Sequence, residues 1–245
     1  VDPGLIISAA AVNAMRRDVL NQLTALRARR ADFPINPPKS VPDYRGPKDL
    51  PGLTVQVTTR EQLTPNLLNS ETAMLYVPLH ILAADPEMTG LLVQRGRLAV
   101  VLPRIVHDGE MPKLKKDLAL LQSIGVKNAL VGNLGLLAPA REAGMRIHGD
   151  FGLNIYNSVS MNVLRSLEVC SALVSFEMTL PQIRDLSKAV NAEILAYGRM
   201  PLMITEQCLI QGRTGECTCH LGSTKLTDKT GAEFPILKDG DSCRS

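Results

Sequence analysis

Tryptophan is absent from the 245 residues and aromatic residues make up only 3%. A protein that holds single-stranded nucleic acid on a series of stacking rings needs more than this supplies, so the composition weighs against a dedicated RNA-binding module. No stretch approaches the roughly 20 uninterrupted apolar residues that span a bilayer, and the N-terminus lacks a basic region leading into an apolar signal core. The expectation is a soluble, cytoplasmic chain with no membrane partner. Net charge is only +3, too small to demand a polyanion. The basic clusters Arg27, Arg29, Arg30 and Lys113, Lys115, Lys116 suit either phosphate contact or a solvated helix face. Also missing are Gly-x-Gly-x-x-Gly after any strand, His-Glu-x-x-His, and a serine or cysteine nucleophile with an obvious paired base.

What remains is an ordinary globular balance, 45% hydrophobic and 21% charged, and hence a buried core. Val12, Met15, Val19, Leu23 and Leu26 recur at helical spacing between Ser8 and Arg30, with basic residues at the C-terminal end of the helix. Residues 1–31 are therefore expected to form a helix from a preceding domain. Pro34, Pro37, Pro38, Pro42, Pro47 and Pro51 make 32–52 a linker. The first residue, Val1, and the abrupt end at Cys243-Arg244-Ser245 suggest a piece of a longer protein.

Beyond the linker, short apolar runs alternate with helical patterns. Strands are expected at Leu53–Val57, Met74–Val77, Leu98–Leu102, Ala129–Val131, Met145–Ile147, Ala172–Val174 and Ile194–Tyr197. Leu114, Leu118 and Leu121 define one helix face, and Thr179-Leu180-Pro181 starts another helix. Repeated strand-helix units of about 20 residues, against the roughly 30 of a standard eight-fold barrel, predict an α/β fold. Residues 53–199 should form a trimmed, TIM-like β/α barrel, followed over 200–245 by a cysteine-bearing β-hairpin segment.

In such a barrel, chemistry gathers at the C-terminal ends of the strands. Arg104, Asn133, His148, Asp150, Asn154, Asn157, Ser175, Glu177 and Arg199 all fall there. His148, Asp150 and Glu177 are the candidate proton carriers, and Arg104, Asn133, Asn154 and Arg199 the candidate substrate-binding residues. Each also has a structural alternative. His148 could be a satisfied rim histidine, and Asp150 and Asn154 could fix the turn into the next helix.

Cys208, Cys217, Cys219 and Cys243 lie within the last 38 residues. Thiolates so concentrated in a cytosolic chain point to zinc or an iron-sulfur cluster, with free structural thiols or a disulfide as alternatives. Cys217-x-Cys219 is tight for two ligands of one ion, and His220 could complete the set. Cys170, followed by Ala172, Leu173 and Val174, reads as core. Lys229-Thr230-Gly231 between two short strands reads as a hairpin turn.

The ordered series His148-Gly149-Asp150-Phe151-Gly152-Leu153-Asn154-Ile155-Tyr156-Asn157-Ser158, Ser175-Phe176-Glu177-Met178-Thr179-Leu180, Tyr197-Gly198-Arg199-Met200-Pro201-Leu202-Met203 with Cys208, and Leu226-Thr227-Asp228-Lys229-Thr230-Gly231-Ala232-Glu233-Phe234-Pro235 resembles peptidase family U32, the collagenase-like proteins. The likeness covers about residues 53–245. It implies either proteolysis or the iron-sulfur-dependent, oxygen-independent hydroxylation of RNA bases or quinones associated with other members, which hold a 4Fe-4S cluster on four cysteines. Ribosomal RNA is the partner that hydroxylation implies. The helix and proline-rich stretch resemble the long members, so an N-terminal barrel of the same protein is a further expected partner. Pro201 stands where the collagenase-like signature has its first cysteine. Cys208 matches the second, and Cys217 or Cys219 and Cys243 approximate the later ones.

Overall fold

The computed structural model describes residues 4, 6–29, 34, 36–37, 40, 42–44, 51–216 and 224–237. Two compact units separate at Ser40. In the first, helix α1 (Ala9–Ala28) starts at Ser8, whose hydroxyl accepts from the Ala11 amide at 3.2 Å. Its apolar stripe, Val12, Met15, Val19, Leu23 and Leu26, is 48–68% exposed.

The second unit, from Val41, holds a sheet of seven parallel strands in sequence order: β1 (Thr54–Gln56), β2 (Met74–Pro78), β3 (Leu98–Val101), β4 (Asn128–Val131), β5 (Arg146–Gly149), β6 (Val169–Leu173) and β7 (Asn191–Glu193). Between them run α2 (Pro65–Asn69), α3 (Leu79–Ala84), α4 (Pro86–Val93), α5 (Met111–Ile124), α6 (Leu137–Glu142), α7 (Ser158–Ser166) and α8 (Leu180–Asp185). A parallel sheet with strands in chain order is what successive right-handed crossovers build. It curls far enough that Thr54 on the first strand hydrogen-bonds Glu193 on the last at 3.3 Å, although β1 and β7 form no ladder. The result is a partial barrel, as the sequence predicts.

Strand residues alternate between two environments. Val55, Leu75, Val77, Leu98, Val100, Ala129, Val131, Ile147 and Ala172 join the main core with Leu82, Leu118, Leu121 and Met161 of the helices. The opposite face forms a small second cluster of Tyr76, Ala99 and Leu130 with Met74 and Val101, which lines the barrel interior. Helix α5 buries the expected Leu114, Leu118 and Leu121 and stops at Gly125, whose φ of 104° suits glycine. Thr179 and Gln182 form a capping box on α8.

Three expectations need correction, and one expected segment is placed in part. The fifth, sixth and seventh strands begin and end one to four residues away from where apolar runs placed them, because the interior residues of these strands are polar. Cys170 is exposed, not core: the β5–β6 register slips between Ile147 and His148, and Cys170 is the residue skipped. His148 lies within a strand and inside the barrel, not on its rim. Part of the proline-rich stretch is anchored to the barrel unit. Ser187 donates to the Pro42 carbonyl and accepts from the Tyr44 amide, both at 2.8 Å, and Lys188 N donates to Tyr44 O at 2.8 Å.

After β7 come α9 (Leu209–Thr214) and a hairpin of β8 (Thr224–Thr227) and β9 (Glu233–Ile236), antiparallel as expected and crossed by a 2.6 Å Lys225–Glu233 ion pair. The Asp228 carboxylate accepts from Thr230 N and Ala232 N and so organises the turn.

Candidate functional site at the barrel interior and mouth

The strand register sets His148 beside Leu130 on one side and Ser171 on the other, and Ser171 beside Asn191. A barrel filled for stability alone stacks branched apolar side chains in such layers. Here Tyr76, His148, Ser171 and Glu193 occupy them. The Glu193 carboxylate accepts from the Tyr76 hydroxyl at 3.0 and 3.2 Å, from Thr54, and from the Ser171 hydroxyl. His148 Nδ1 lies 2.7 Å from Ser171 Oγ, and the ring meets Tyr76 edge-on at 6.1 Å between centroids.

These contacts fix the protons. A carboxylate only accepts, so Ser171 gives its one hydrogen to Glu193 and must accept from His148. The imidazole hydrogen is therefore on Nδ1, and Nε2 presents a lone pair. That Nε2 is buried and has no hydrogen-bond partner. An unmet buried polar atom costs about 1–3 kcal/mol, which a fold optimised only for stability would shed.

Burial dominates the titration of the neighbourhood. It pushes His148 below its ordinary range, and Glu193 opposes that only in part. It pushes Asp150 upward, against the Phe151 amide and Arg104, while Glu193 adds to the rise. The Tyr76 hydroxyl is raised by burial and by Glu193, so it stays a donor.

The mouth is built from the loops after the strands. Asp150 caps the turn after β5 by accepting from Phe151 N at 2.7 Å. Phe151 carries the Arg104 guanidinium on its face at 4.6 Å and tilts against Phe176 at 5.9 Å. A Cβ at position 152 would come 2.3 Å from the Gly132 carbonyl oxygen and 3.2 Å from Arg104 Nε, so glycine there lets the loop seat against Arg104.

The predicted residues thus divide. His148, Asp150 and Arg104 belong to the interior or its mouth. Asn133 is structural: its carbonyl accepts from Gly135 N at 2.9 Å and its amide donates to Arg104 O at 3.1 Å. Asn154 adopts the left-handed conformation at φ 53° and closes the turn. Glu177 is exposed and accepts from the Tyr156 hydroxyl at 2.6 Å. Arg199 is exposed in the segment after β7. Tyr76, Ser171 and Glu193 were missed. The signal for them was polar residues at alternating positions of otherwise apolar strands.

Among the described residues no group of three or more His, Cys, Asp or Glu is placed to hold a metal ion. Cys217, Cys219 and Cys243 lie outside the described residues, as does His220. Cys208 is half-buried and accepts from Gln211 N at 3.3 Å at the start of α9. The described residues therefore include one of the four expected cysteines and do not by themselves form a cluster site. Separately, the described helices include none long and apolar enough to cross a membrane.

No solved structure matches the chain. An uncharacterized protease of Methanocaldococcus jannaschii is 24% identical over 124 residues, which is 46% of this chain. The chain spans only 30% of that relative's length. The family model for peptidase family U32 matches residues 87–223, from α4 through the strands that carry His148, Ser171 and Glu193 to the segment before β8. The chain belongs to peptidase family U32.

Proposed function

We propose that this barrel is a peptidase-like hydrolase site of the collagenase-like kind, with His148 as general base. The observation that carries the reading is the buried, unpartnered Nε2 of an imidazole whose tautomer is fixed through Ser171 by Glu193. Such a nitrogen, held neutral by burial, is suited to take a proton. A water admitted with the substrate gives its proton to Nε2 as its oxygen adds to the peptide carbonyl. The carbon–nitrogen bond then breaks, and the amine takes a proton from Asp150, whose raised pKa suits a donor. Glu193, Ser171 and Tyr76 hold the imidazole. Gelatin or casein cleavage tests this. His148→Ala should lower the rate by about 10²–10⁴-fold, whereas Glu177→Ala should leave it nearly unchanged because that carboxylate sits outside the network. Cleavage that survives His148→Ala sinks the reading.

The four cysteines of the C-terminal segment favour a second reading, iron-sulfur-dependent hydroxylation of an RNA base, in line with the resemblance of the long form to the 23S ribosomal RNA 5-hydroxycytidine synthase. Cys208, Cys217, Cys219 and Cys243 would then hold a 4Fe-4S cluster that supplies the redox chemistry, or zinc in a structural role, with an N-terminal barrel of the same protein as partner. Anaerobically purified protein should absorb at about 400 nm if the cluster is present. Metal analysis that found neither iron nor zinc would remove the cysteine site.

A further inference from the structure

Arg104 differs from most arginines of the barrel unit. Arg60 pairs with Asp85, Arg184 with Asp185, and Arg146 with the Asn128 carbonyl, while Arg97 donates to the carbonyls of Leu68 and Thr72. Arg104 is half-buried and flat on Phe151, and among the described residues its guanidinium has no hydrogen-bond acceptor and no ion pair. Its position is held all the same, by the ring beneath it, by the Gly152 backbone against Nε, and by the Asn133 amide on its own carbonyl. A planar fork of N–H donors, fixed in place and unused, sits beside the carboxyl of Asp150 at the mouth above His148.

We propose that Arg104 is the subsite for a carboxylate of the substrate, and specifically for the free C-terminal carboxylate of a peptide. This rests on the peptidase reading of the same site. The surroundings favour a single small anion over a polyanionic strand. The loops and strand ends of this face carry Asp108, Glu110, Asp150, Glu177, Glu193 and Glu206, against the arginines Arg104 and Arg199. The neighbouring cation Lys113 is engaged with Asp117 at 2.9 Å. One stacked guanidinium among carboxylates attracts a group that binds it bidentately and brings no further charge, whereas a nucleic-acid backbone would meet repulsion along its length. With the carboxylate on Arg104, cleavage at His148 releases residues from the peptide's C-terminus.

Arg165 supplies the control. It also stacks on a ring, Tyr44 at 4.3 Å, but it lies in the last turn of α7 at the opposite end of the strands. The experiment is calorimetric binding of acetyl-tetra-alanine to the His148→Asn chain, which cannot cleave under the mechanism above, compared with the same peptide as its C-terminal amide. The free acid should bind about 10- to 100-fold tighter, the range for a hydrogen bond to a charged group. Arg104→Gln should erase that difference and Arg165→Gln should keep it. Equal binding of acid and amide, discrimination that survives Arg104→Gln, or no peptide binding at all would overturn the proposal. So would a short RNA oligonucleotide whose binding Arg104→Gln abolishes, because the anion would then be a phosphate. Acid-selective binding in a protein that shows no cleavage would instead keep this subsite and discard hydrolysis.

Discussion

Ser171 has one hydrogen to give and two neighbours able to take it. Glu193 receives it, and that choice decides which imidazole nitrogen of His148 is basic. Nitrogen NMR of the ring should show Nδ1 protonated and Nε2 bare near neutral pH in the native protein. Ser171→Ala should mix the two tautomers without unfolding the chain, and an unchanged ring spectrum would refute the relay. The same residue makes a prediction in pH. His148 has its native pKa lowered from 6.5, so the unfolded chain takes up a proton at a pH where the folded chain does not. Its contribution to stability is present above 6.5 and is lost as pH falls through the native value. Asp150 runs the other way. Its native pKa is raised from 3.8, so its contribution is full below 3.8 and is lost as pH rises through the native value. Melting temperature against pH should lose its acid-side fall near neutrality in His148→Asn, and should lose the opposing trend in Asp150→Asn.

At the scale of elements, the loop after β5 carries Asp150 and Phe151 at the mouth and continues through Asn154 to Asn157 as a series of local devices. Asn157 caps α7 by accepting from Ser160 N at 2.9 Å, so Asn157→Ala should cost about 1 kcal/mol in urea unfolding. Asn154→Gly should be nearly neutral in stability and in peptide cleavage, whereas Asn154→Ala should destabilise by about 1–2 kcal/mol through its positive φ. A large loss of cleavage in Asn154→Gly would restore it as a substrate contact. These elements also mark how far the sequence could be read. Helix α5 was legible because Leu114, Leu118 and Leu121 repeat at helical spacing, and the start of α8 because Thr179 and Pro181 signal it locally. Strands β5 to β7 were displaced because continuous apolar runs mark strands covered on both faces, and these have a polar interior face. The displacement hid Ser171 and Glu193. Glu193 falls just outside the strand expected at Ile194–Tyr197, yet it is the residue on which the interior network converges. Long-range register, which no local window contains, brings His148, Ser171 and Glu193 together.

Over the whole barrel, closure is made by side chains. Among the described residues β1 and β7 form no ladder, and Thr54 of β1 and Tyr76 of β2 reach across to Glu193. Hydrogen exchange should therefore be fastest among the strands at β1 and β7 and slowest at β3 to β5, whose neighbours lie on both sides. Glu193→Ala should quicken exchange at β1 as well as β7. If only β7 responds, the bridge contributes nothing to closure.

The seam has another consequence. Because every strand of the sheet runs parallel, the polypeptide comes into the barrel at one end of the seam and goes out of it at the other. A cut made in a surface loop elsewhere would leave the ladders in place if the peptide joining the seam were a crossover of about a dozen residues or more, long enough to run back along the strands. The barrel is in this sense a ring of strands that can be reopened elsewhere through a long joining crossover, and that a join of about two or three residues would pull apart.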